Sequence, residues 1–222
     1  MRANKHLWSI QSILLLILFG FGTNLLLSFL FSDYFDQHAF VGYFVQTSIF
    51  IVTIYYFIKV RHPQTKWIDI GFRKLNIWKT IGLTITAWLS AMTILALFVR
   101  YFGQIPGLQP QESHLEIFGN TLYEKIGFTF LAIIIAPLVE EVIFRGILLK
   151  WSLVYISPLF GILLNGIVFS VLHFEFQSVI AISLIGVILA TITYYSNSII
   201  PAILFHFLNN SIAVFVELFL IP

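Results

Sequence analysis

The chain alternates long apolar runs with short polar breaks. Apolar runs cover residues 7–31, 39–58, 77–99, 126–149, 158–173, 177–195 and 199–220. A bilayer core of ~30 Å takes about 20 apolar residues of helix, so each run predicts a transmembrane span. The last three are separated by only a few residues. The expected fold is therefore all-α, a polytopic transmembrane helical bundle of about seven spans. Residues 1–125 carry the first three spans with their loops, and residues 126–222 carry the last four.

Composition agrees and narrows the partners. Of 222 residues, 59% are hydrophobic and only 10% are charged, more apolar than soluble domains run. Twelve Lys and Arg against ten Asp and Glu leave a formal charge of +2, without the basic excess that a nucleic-acid partner requires. The chain has no cysteine, which excludes disulfides and thiolate metal sites. Arg2 and Lys5 precede the first run as in a signal peptide. That run is longer than a signal core, and no small-residue cleavage site follows, so it reads as a retained anchor.

Where the charges fall predicts orientation. The break after the second run carries Lys59, Arg61, Lys66, Arg73, Lys74 and Lys79, and Lys150 follows the fourth. The first break holds Asp33 and Asp36, and the 103–125 stretch holds Glu112, Glu116 and Glu124 against Lys125, with Arg100 just before it. Positive residues concentrate on the cytoplasmic side. The N-terminus is expected inside and, after seven spans, the C-terminus outside. Ser113 and Glu116 have capping-box spacing and predict the start of a short interfacial helix.

Three polar groups interrupt the membrane pattern. The first is "APLVEEVIFRG" at 136–146. On a helix, Glu141 and Arg145 are four residues apart in the favourable order and neutralise each other. Glu140 is turned by about 100° from Glu141 and is expected to face a cavity. Pro137 removes a backbone donor and should loosen the helix, and Gly146 should admit a close neighbour. The second group is Asn165, Phe169 and His173, one helical stripe. The third is His206 and Asn210, again four apart, with Asn209 off that face and Pro201 in the helix's first turn. Taken singly, the second and third read equally well as helix-to-helix hydrogen bonding, and the Glu141–Arg145 pair reads as a structural ion pair. Ionisable groups inside a membrane are costly and mark functional sites. Together they supply a base, a second proton-handling or metal-binding group, and neutral donors for an oxyanion, the minimum for peptide-bond hydrolysis. Neither a nucleophilic serine motif nor the HExxH zinc pattern is present.

Glu140-Glu141-x-x-x-Arg145, Phe169-x-x-x-His173 and His206-x-x-x-Asn210 resemble, in order and spacing, the three motifs of the CPBP family, the CAAX proteases and bacteriocin-processing enzymes also called the Abi family of intramembrane proteases. The resemblance covers roughly residues 126–215. It implies an intramembrane endopeptidase acting on a membrane-associated protein or peptide. Glu140 would activate water with help from His173, and His206 and Asn210 would bind the developing oxyanion. Glu141 and Arg145 would be structural, and Phe169 would shape the site. A zinc version would use Glu140, His173 and His206 as ligands and leave a water position open. It then lacks a second carboxylate as base, because Glu141 is needed by Arg145, so the metal-free version is preferred and no cofactor is required. Short loops point to a bacterial plasma membrane. Two other classes remain open: a non-catalytic scaffold or bacteriocin-immunity partner, and a proton-coupled transporter, against which the absence of a repeated 136–146 pattern argues.

Overall fold

A computed structural model describes residues 8–108 and 121–219. All regular structure among them is helical: α1 Ile10–Leu30, α2 Ser32–Gln37, α3 Ala39–Arg61, α4 Ile77–Phe102, α5 Leu122–Tyr155, α6 Pro158–Val171, α7 Val179–Ser196 and α8 Ile200–Phe219. Six helices are long and apolar enough to cross a membrane. The seventh apolar segment, α6, has 14 residues, about 21 Å at helical rise. Leu14, Leu25, Leu89 and Leu97 are at least half exposed. Such a surface needs hydrocarbon around it rather than water, and the protein is an integral membrane protein.

Two compact units make up the chain. One is built from residues 8–66, 121–140 and 210–219, the other from 67–108 and 141–209. Among the described residues the chain passes between them at Lys66–Trp67, at Glu140–Glu141 and at Asn209–Asn210.

In the first unit, α1 and α3 are joined by side-chain amides. Asn24 Nδ2 donates to the carbonyls of Gly20 and Gln46 at 2.9 and 3.4 Å, and Gln46 Nε2 donates to Ser28 Oγ at 3.1 Å. Phe128 and Ala132 of α5 pack with Val214 of α8 in a small apolar core that Phe40 and Tyr43 border. A capping box opens α5: Glu124 N donates to Thr121 Oγ1 at 3.2 Å, and Thr121 N donates to Glu124 Oε2 at 2.9 Å. This start lies four residues ahead of the apolar run, because hydropathy does not register a polar first turn. The capping pattern at Ser113 and Glu116, like Arg2, Lys5 and Glu112, lies outside the described residues.

In the second unit, α6 and α7 are in backbone contact. A Cβ on Gly166 would sit 2.8 Å from Val187 N, and one on Gly186 would sit 2.9 Å from Gly166 Cα, the close approach that small residues allow. Ser170 and Ser183 add a hydroxyl pair at 2.6 Å. Ala87 and Ala91 of α4 meet Leu189 and Ile192 of α7 and Ala202 and Phe205 of α8 in one core. The segment between α3 and α4 is tied down by three bonds. Ser198 Oγ donates to Arg73 O at 2.8 Å, Ile199 N to Gly71 O at 2.9 Å, and Lys150 Nζ to Asp69 O at 2.6 Å. Lys150 is therefore a buried residue inside α5 and not a loop charge after a span, since its ammonium finds a carbonyl acceptor there. Gly146 is approached by the same segment and not by a helix: a Cβ there would lie 2.8 Å from Ile70 O.

Candidate active site

Glu140 and Glu141 lie on α5 between two wider, π-helical turns, Leu131–Ile135 and Val142–Leu148, and Arg145 lies in the second. Pro137, with no N–H to give, sits just after the first. Such turns inside an α-helix recur at functional sites.

Arg145 and Glu141 are both fully buried, and Arg145 Nη1 donates to Glu141 Oε1 at 2.9 Å. Nη2 of the same guanidinium donates to the Gly186 carbonyl at 3.0 Å. The arginine carbon lies 4.3 Å from the centre of the Phe169 ring, a desolvated cation–π contact. Arginine stays charged and only donates, so Glu141 is held as a carboxylate.

That same oxygen has a second partner. His206 Nδ1, on α8, lies 3.0 Å from Glu141 Oε1, while Glu141 Oε2 is buried with no hydrogen-bond partner. A carboxylate can only accept, so Nδ1 carries the hydrogen and the ring's chemistry is set at Nε2. His173 is held likewise. It lies in the turn just past α6, and its Nδ1 is 2.6 Å from the Phe169 carbonyl, again an acceptor only. Phe169 links the group: its ring centroid lies 4.4 Å from that of His173 and 5.9 Å from that of His206. Phe174, next to His173, has φ 57°. For a bulky residue this backbone is strained, and it lies in the turn that follows α6. Asn165, one turn before Phe169, donates through Nδ2 to the Phe144 carbonyl at 2.9 Å.

Thus the second unit brings together Glu141, Arg145, Phe169, His173 and His206. Glu140 and Asn210 belong to the first unit. There Glu140 is half-buried, and Tyr43 of α3 lies near it. Asn210 Nδ2 donates to the Ala132 carbonyl at 3.0 Å. Tyr43 has no motif around it that would single it out in the sequence. The Glu141–His206 contact was equally invisible, because the two residues are 65 positions apart.

Among the described residues no three His, Asp or Glu side chains come together to hold a metal ion.

Residues 122–212 match the family model for type II CAAX prenyl endopeptidases, Rce1-like. In this segment the chain is similar to that family. No curated protein and no solved structure matches the chain. The matched segment contains all of the polar residues above except Tyr43, and α1 to α4 lie outside it.

Proposed function

We propose that the protein is an intramembrane endopeptidase that hydrolyses a peptide bond in a membrane-associated protein or peptide. The observation that carries this reading is the common mounting of the two histidines. Each imidazole is anchored through Nδ1 on an acceptor, Glu141 for His206 and the Phe169 carbonyl for His173. Anchoring one nitrogen fixes the tautomer and the ring plane, which is what proton transfer by the other nitrogen needs.

In this reading Glu140 takes a proton from water as the water oxygen bonds to the scissile carbonyl carbon. His173 orients that water through Nε2. The carbonyl oxygen becomes an oxyanion and accepts from His206 and Asn210. Collapse breaks the C–N bond, and the proton held by Glu140 passes to the leaving amine. Because Nδ1–H of His206 is committed to Glu141, His206 donates at Nε2 only as an imidazolium. An amide nitrogen has two hydrogens, and Asn210 uses one on Ala132; the other serves the oxyanion. No cofactor takes part. The chain sits in a bacterial plasma membrane, with its N-terminus cytoplasmic and its C-terminus outside.

The test is substrate processing in cells, normalised to the amount of protein in the membrane. Comparing membrane and secreted peptides of wild-type cells with those of Glu140→Ala cells supplies the substrate. Losing one oxyanion donor costs about 10²–10³ in turnover, so Asn210→Ala is expected to process that much more slowly, while Asn209→Ala stays near wild type. Full processing by Asn210→Ala at normal abundance would refute the mechanism. A loss that merely follows protein level would favour a scaffold.

A further inference from the structure

The Ala132 carbonyl lies where α5 leaves the α-helical register. In an α-helix it would accept from the N–H of residue 136. Here the Ala136 N–H donates to Leu131 O instead, across the wider turn at Leu131–Ile135. In the wider register the donor would be residue 137, which is proline and has no N–H. Both donors that Ala132 would find in its own helix are therefore diverted or missing. Water is a poor substitute, because Ala132 is 9% exposed and packs in an apolar core with Phe128 and Val214. A buried carbonyl without a donor costs as much as a lost hydrogen bond. Asn210 Nδ2 donates to it at 3.0 Å. Asn210 lies one turn before Val214 on α8, so one helix face brings both the amide and the apolar contact.

We propose that Asn210 is a positioning residue for the part of α5 that ends in Glu140. Its amide supplies the hydrogen bond that Pro137 removes, and this sets the register of the helix eight residues before that carboxylate. The proline and the asparagine are thus a matched pair, 73 positions apart in sequence. The role stands whether or not the other amide hydrogen meets an oxyanion.

A double-mutant cycle on the purified full-length protein in detergent tests this, with the thermal midpoint as readout. Asn210→Ala in the wild-type background is expected to lower the midpoint by roughly 3–8 °C. Asn210→Asp keeps the shape but sets an oxygen against the carbonyl, and is expected to lose at least as much. Pro137→Ala restores an N–H at 137, so adding Asn210→Ala to it should cost less than a third of the loss seen alone. Equal losses in both backgrounds would overturn the proposal. So would an Asn210→Asp protein as stable as wild type, which decides the matter even where Pro137→Ala fails to fold. Processing separates this proposal from the catalytic reading. If Pro137→Ala restores the stability of Asn210→Ala but not its processing, both roles hold. If it restores both, the positioning role stands and the oxyanion role of Asn210 falls.

Discussion

His206 Nδ1 and Glu141 Oε1 are 3.0 Å apart, on the oxygen that also takes Arg145 Nη1 at 2.9 Å. One carboxylate therefore neutralises a buried arginine and orients an imidazole. Its second oxygen makes no hydrogen bond, so either contact is lost if the first oxygen moves.

Glu141→Ala is expected to strip Arg145 of its counter-charge in a fully buried position. Removing one partner of such a pair costs about 3–5 kcal/mol, so abundance and thermal midpoint should both fall. Glu140→Gln keeps the side-chain volume and should fold normally while losing processing. Melting curves for the two variants check this; indistinguishable curves would contradict the division of labour between the adjacent glutamates.

Phe169→Leu should cost only about 1–2 kcal/mol of stability, from the lost ring contacts with Arg145 and Phe144. Processing should drop well beyond the drop in abundance, because both histidine rings lean on the same phenyl group. Processing and western-blot abundance measured on one set of membranes tell the two apart. A proportional decline would reduce Phe169 to a packing residue.

Gly146→Ala places a methyl group 2.8 Å from the Ile70 carbonyl oxygen and should destabilise by about 1–3 kcal/mol. Gly82→Ala is the control. Nothing lies within 4 Å of its added carbon, and alanine is the better helix former by up to about 1 kcal/mol. Thermal midpoints should move in opposite directions.

Purified protein is expected to hold no stoichiometric zinc and to keep its processing activity after treatment with a strong chelator. Elemental analysis and a chelation assay measure this. About one zinc per chain, lost on substituting His173 or His206, would replace the water-activation scheme with a metal one.

Single cysteines report topology cleanly, since the chain has none of its own. Gln64→Cys should react with an impermeant thiol reagent from the cytoplasmic face. Ser32→Cys and Pro222→Cys should react from outside. Labelling of Pro222→Cys only from the cytoplasmic side would mean that one apolar segment fails to cross, and the 14-residue α6 would be the segment concerned.

Much of this protein follows from local sequence. Helix class and the positions of the apolar segments come from run length, because a backbone in hydrocarbon must satisfy its own hydrogen bonds. The Glu141–Arg145 pair is equally local, as four residues make one helical turn, and so is the alignment of Asn165 with Phe169. Tertiary structure decided what no spacing encodes. Lys150 reads as a boundary charge, yet its ammonium is buried on the Asp69 carbonyl 81 residues away. Gly146 reads as a helix contact and instead meets a connecting segment. Glu141 reads as half of an ion pair, and only the packing of α8 brings His206 to the same oxygen. Asn210 reads as a donor waiting for substrate, and it already serves a carbonyl on another helix. The physical reason is common to all four. Hydropathy and helical period fix which residues enter the membrane and which face they share, but a buried polar atom takes its partner from whichever element the packing brings within 3 Å.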